Sequence, residues 1–95
     1  MTKMIAGVTG EQLWEVARRH GVPRLRVFGS WARGEAGPDS DLDLLVNVEP
    51  GTSLLDVIGL QRALEDLVGN KVDVLTEDGV SPYLKERILA EARSL

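Results

Sequence analysis

Cysteine is absent from the chain, and histidine occurs once, as His20. The first absence excludes disulfides and thiolate metal sites, and it fits a reducing, cytoplasmic setting. A lone histidine at an expected helix end argues against a histidine-based zinc site or a Ser-His-Asp triad. Long hydrophobic runs are also missing. None reaches the roughly 18 residues of a membrane span, and no signal-peptide h-region stands at the start, so no membrane association is expected. Positive charge is the scarcer sign: 11 Lys and Arg against 15 Asp and Glu leave a formal charge of −4. That balance argues against broad electrostatic binding to nucleic acid. Size is limiting as well. A chain of 95 residues is expected to form one small domain over 1–95, burying only about 60–65% of its unfolded surface. A whole nucleotide and an acceptor would be hard to enclose without a second surface.

What is present centres on one stretch. Val27-Phe28-Gly29-Ser30-Trp31-Ala32-Arg33-Gly34 reads as a strand running into a glycine turn and a short helix. Gly29 permits backbone geometry that other residues resist. Ser30 follows where a helix begins, so its hydroxyl and amide can face an anion at that helix's positive end. A loop with Gly34, Gly37 and Pro38 leads to Ser40-Asp41-Leu42-Asp43-Leu44-Leu45-Val46. Alternation along a strand sends Asp41 and Asp43 to one face, Leu42 and Leu44 to the other.

The remaining segments supply a scaffold. Thr9 and Gln12 fit a capping box ahead of an apolar stripe at Leu13, Trp14, Val16 and Ala17, and Gly21 with Pro23 stops that helix. Arg24 to Phe28 and Asp41 to Val48 are expected strands. Thr52 or Ser53 caps a long helix in which Leu54, Leu55, Ile58, Leu64, Leu67 and Val68 recur at helical spacing. Lys71 to Leu75 is a third strand carrying Asp73. Ser81-Pro82 opens a last helix with Tyr83, Leu84, Ile88 and Leu89 along one side. No repeat or linker interrupts the order αβαβαβα, which describes an α/β domain.

Asp41, Asp43 and Asp73 each sit beside apolar neighbours, a costly place for charge without compensation. Gathered together they would raise one another's pKa values. Magnesium reverses that penalty, being held by one or two carboxylates plus substrate phosphate oxygens. Taken singly, each feature has a plainer reading: solvated strand acids, and an ordinary strand-to-helix turn at Gly29-Ser30. A calcium loop from Asp39 is strongly disfavoured by Leu44 where glycine is needed and Pro50 where glutamate is needed. Jointly, glycine-serine after an apolar strand, ten intervening residues, D-x-D on the next strand and a third strand acid form a restrictive set.

That set resembles the polymerase-β-type nucleotidyltransferase superfamily. It is most similar to the minimal nucleotidyltransferases, whose G-S-x-A-R-G…S-D-x-D-L pattern is matched by Gly29, Ser30, Ala32, Arg33, Gly34, Ser40, Asp41, Asp43 and Leu44. The resemblance covers essentially the whole chain and implies a small mixed sheet flanked by helices. It implies that Gly29 and Ser30 hold the phosphates of ATP, that Asp41 and Asp43 ligate two magnesium ions, and that Asp73 completes the catalytic one. Arg33 occupies a position that can contact phosphate or form a structural salt bridge, and Lys71 one that can touch phosphate or stay solvated. It also implies a partner, a HEPN-family toxin, with this chain as antitoxin transferring AMP to a toxin tyrosine. Two other readings stay open. One is a non-catalytic antitoxin that covers its toxin through Tyr83, Leu84 and Ile88. The other is a nucleotidyltransferase acting on a small molecule such as an aminoglycoside.

Overall fold

The computed structural model describes residues 4–37 and 39–94; Pro38 of the expected loop lies outside them. The elements are β1 (Met4–Ile5), β2 (Val8–Thr9), α1 (Gly10–Arg19), β3 (Arg24–Phe28), α2 (Ser30–Arg33), β4 (Leu42–Asn47), α3 (Leu54–Val68), β5 (Val72–Thr76), a 3-10 turn (Glu77–Gly79), α4 (Pro82–Glu91) and β6 (Arg93–Ser94). A mixed sheet in the order β5-β4-β3-β6 carries the fold, with β4 and β5 parallel and the other pairs antiparallel. Three strands and the 3-10 turn go beyond the expected αβαβαβα order. β1, β2 and β6 hold two residues each, too few for alternation to register in sequence.

Both long helices start where their caps predict. Thr9 and Gln12 form the capping box of α1, and Ser53 forms one with Asp56 at α3. Each box satisfies amides that the first turn leaves unpaired. α4 begins with Pro82, whose missing N–H costs nothing at that position. β4 opens at Leu42 rather than Asp41. Leu42 N–H already donates to the Lys71 carbonyl, 3.1 Å away, tying the two strand starts together.

Alternation divides the sheet into two faces. Leu25 and Val27 of β3, Leu42, Leu44 and Val46 of β4, and Val72 of β5 are buried with Leu13 and Ala17 of α1 and Leu60 and Leu64 of α3. Each fully buried leucine stabilises by about 1.5–3 kcal/mol relative to exposure. The opposite face is thinner, with Phe28 and Leu45 packed under Ile88 of α4. The apolar stripe of α3 is shorter than its spacing suggests: Leu54 and Leu55 are 75% and 78% exposed. They stand in the first turn of α3, while the buried contacts run through Leu60 and Leu64. On α4 the expected stripe also splits. Ile88 is buried, whereas Tyr83 and Leu84 are exposed. Among the described residues no helix is long and apolar enough to cross a membrane.

Candidate active site

β3 ends in a backbone turn that only glycine accepts readily. Gly29 has φ 72° and ψ −152°, outside the regions open to residues with a side chain. Space also requires glycine, because a Cβ there would lie 2.3 Å from Asp43 Oδ2. The reason is register: Phe28 of β3 faces Asp43 of β4 across the antiparallel ladder, so the next residue turns over that carboxylate. Ser30 then opens α2, a single turn closed by Gly29 carbonyl bonds to the amides of Ala32 and Arg33.

The acids come together through the parallel pair. Asp43 and Asp73 are register partners on β4 and β5. Asp41 flanks them just before β4, and its Oδ2 lies 4.0 Å from Lys71 Nζ. The same ammonium is 3.9 Å from Asp73 Oδ1. Lys71 therefore sits between two of the three carboxylates. All three of these side chains are 40% or more exposed, so the pairing contributes little to stability. Burial raises the Asp43 carboxyl above the usual carboxylate range, and the neighbouring Asp73 and Asp41 raise it further; Arg33 opposes them weakly.

These electrostatics bear on whether the acids suit a metal. An acid strained by burial and by two like charges gains most from a divalent cation. Among the described residues no three acid, His or Cys side chains form a ready-made metal cage. Magnesium needs only one or two carboxylates and fills its remaining positions with water and substrate oxygens, and the in-register pair Asp43 and Asp73 can supply those carboxylates. The donors are hard oxygens throughout. The residues fit the ion.

Arg33 is held in place by carboxylates. Its Nη1 lies 3.2 Å from both oxygens of Glu91, and its Nε lies 3.2 Å from Glu35. These partners hold the guanidinium pKa above its ordinary value. Glu91 Oε1 also accepts from the Gly29 amide at 2.9 Å. The last turn of α4 is thus pinned to the glycine turn, and one amide of that turn is already taken. A cavity of about 350 Å³ remains beside it, lined among others by Gly29, Ser30, Arg33, Asp43 and Arg87.

A strand, a glycine turn over an acid, and two acids in register across a parallel pair are features that protein families share, and a comparison decides which. The profile of a family described as "Nucleotidyltransferase domain" matches residues 11–95. The chain belongs to that family. This nucleotidyltransferase is 50% identical over 74 residues to a Methanocaldococcus jannaschii chain provisionally named a protein adenylyltransferase, covering 78% of this chain and 80% of that one. Protein adenylyltransferase MntA of Thermococcus cleftensis is 42% identical over 77 residues, covering 81% and 78%. A solved structure provisionally described as a minimal nucleotidyltransferase superposes with a TM-score of 0.82 at 52% identity, covering 90% of this chain and 88% of that one. A toxin–antitoxin crystal structure with AMP-PNP shares the fold, with a TM-score of 0.79 at 17% identity, covering 90% and 70%.

Two side chains that line the cavity beside the glycine turn were not visible in the motif. Glu91 and Arg87 lie on α4, about sixty residues beyond Gly29. A single acid and a single base on a polar helix carry no local signal. Only the packing of α4 against the sheet brings them to the turn.

Proposed function

We propose that this nucleotidyltransferase transfers AMP from ATP to a hydroxyl, by choice a tyrosine, of a HEPN-family toxin, and so acts as its antitoxin. The observation that carries the reading is the register of Asp43 with Asp73, beside a turn in which Gly29 lies over Asp43 and Ser30 lines the same cavity. A protein kept only as a binding surface has no use for three mutually repelling carboxylates. Relatives bearing the name protein adenylyltransferase support the reaction class. Support for the partner comes from a fold neighbour described as a tri-AMPylated Shewanella oneidensis HEPN toxin in complex with MNT antitoxin.

In this reading Gly29 and Ser30 would receive the triphosphate, and Asp41, Asp43 and Asp73 would hold two magnesium ions together with phosphate oxygens. Bound magnesium supplies charge neutralisation for the phosphates and makes the acceptor hydroxyl more acidic. Ser30 and the first turn of α2 face the β- and γ-phosphates that depart as pyrophosphate. Asp73 would stand on the side of the incoming hydroxyl and take up its proton, directly or through water, as the hydroxyl oxygen bonds to the α-phosphate and the bond from that phosphorus to the bridging oxygen breaks to release pyrophosphate. Arg33 works at one remove. By fixing Glu91 and α4 it keeps the turn in shape, the salt-bridge alternative for that position. Lys71 exchanges carboxylate for phosphate oxygens, or turns to solvent, when the site is filled.

The experiment is to incubate the purified chain and its candidate toxin with ATP and magnesium and to measure intact masses. Gain of AMP on the toxin, abolished by Asp41→Asn, supports transfer. A second reading, neutralisation by binding alone, draws on the exposure of Tyr83 and Leu84. Tight neutralising association without mass gain, surviving Asp41→Asn and Asp73→Asn, would establish it instead.

A further inference from the structure

Two cations line the cavity that holds Ser30 and Asp43: Arg33 and Arg87. They differ in how they are paired. Glu35 and Glu91 already occupy the guanidinium of Arg33. Arg87 forms no ion pair within 4.0 Å among the described residues. Leu84, Arg87, Ile88 and Glu91 recur at helical spacing, and together they make the α4 wall of this cavity. Acids outnumber bases in the chain, yet none among the described residues pairs with the Arg87 guanidinium, which lines the same cavity as Ser30. The nearest candidate on its own helix, Glu91, is spent on Arg33 and on the Gly29 amide.

We infer that Arg87 is a nucleotide-binding residue that grips the departing β- and γ-phosphates from the α4 side, opposite Ser30. The inference rests on the nucleotidyl-transfer reading of the same site. A planar guanidinium without a carboxylate partner suits phosphate oxygens, which it meets in two parallel hydrogen bonds. It also supplies positive charge that Arg33 does not have to spare. Because the contact is to the leaving group, Arg87 recognises pyrophosphate and the tail of ATP, and does not recognise AMP.

Equilibrium titrations of the whole chain with magnesium pyrophosphate, magnesium–ATP and AMP test this. Arg87→Ala is expected to weaken pyrophosphate and ATP by roughly tenfold to a hundredfold, the loss of one charge-assisted contact. AMP binding and the melting midpoint should stay unchanged, since Arg87 is exposed. Arg87→Lys should recover part of the loss by keeping the charge without the fork. Equal weakening of AMP, or an Arg87→Ala chain that binds pyrophosphate like wild type, overturns the assignment. If that variant binds normally while Asp43→Asn loses magnesium–ATP, only Arg87 is wrongly assigned. If wild type binds neither pyrophosphate nor ATP, the transfer reading falls with it.

Discussion

Replacing Gly29 by alanine separates the strain of a turn from its role in placing an acid. At φ 72° and ψ −152° a side chain costs about 1–3 kcal/mol in backbone strain. The added Cβ meets Asp43 Oδ2 at 2.3 Å, with the Asp43 Cγ and Cβ at 3.2 and 3.3 Å. The nearest atom is the end of a side chain, so the carboxylate can swing away and the fold survives. A loss of about 2 kcal/mol lowers the melting midpoint of a domain this size by roughly 8–16 °C. The control is Gly69→Ala, at the end of α3, where φ is also positive and no atom lies within 4 Å of the added Cβ. That change costs about 1–2 kcal/mol for the left-handed backbone alone. Thermal melts and magnesium–ATP titrations of both variants are the assay. Gly29→Ala should lose nucleotide binding, while Gly69→Ala, of similar stability, should keep it. If the two bind alike, Asp43 is not held under the turn and Gly29 does not couple to nucleotide binding.

Asp43→Asn should raise the melting midpoint at neutral pH without divalent ions. The folded state holds the Asp43 carboxyl above its ordinary range, so its contribution is full below that range and is lost as pH rises through the raised value. Melts across pH should show the gain vanish in acid, and magnesium should stabilise wild type more than the variant. Glu77 behaves in the opposite sense. Asn47 first, and then Arg26, lower its pKa, so its support is present at neutral pH and fades as pH falls through the lowered value. Glu77→Gln should therefore destabilise at pH 7 and converge with wild type in acid. Arg33→Ala and Glu91→Gln should each loosen α4 from the glycine turn, and a double-mutant cycle should show them non-additive; additive losses would mean that the two side chains do not act as a pair. In the core, Leu64→Ala should cost about 2–5 kcal/mol, whereas Leu55→Ser, at 78% exposure, should stay within about 0.5 kcal/mol by denaturant unfolding.

Local chemistry made much of the fold readable in advance. Thr9 with Gln12, Ser53 ahead of its helix, and Pro82 after Ser81 mark helix starts because capping depends on residues three positions apart or fewer. The spacing from Gly29 to Asp43 is equally local, since a strand, a turn and a strand of those lengths return the chain to its own beginning. Alternation placed Leu42 and Leu44 in the core for the same reason. β1, β2 and β6 were not readable, because two residues show no period. Leu54 and Leu55 kept the spacing of a buried stripe although the packed part of α3 runs through Leu60 and Leu64, and spacing does not say where contact ends.

By itself, then, the sequence determined which residues could form a strand, a cap or a tight turn, and which acids were available to a cation. Tertiary structure alone decided that Asp73 stands in register with Asp43, that Glu91 binds Arg33 and the Gly29 amide, and that Arg87 lines the same cavity as Ser30. Those relations join segments thirty to sixty residues apart. They follow from which sheet face α4 covers and which strand β5 pairs with, and no local preference encodes either.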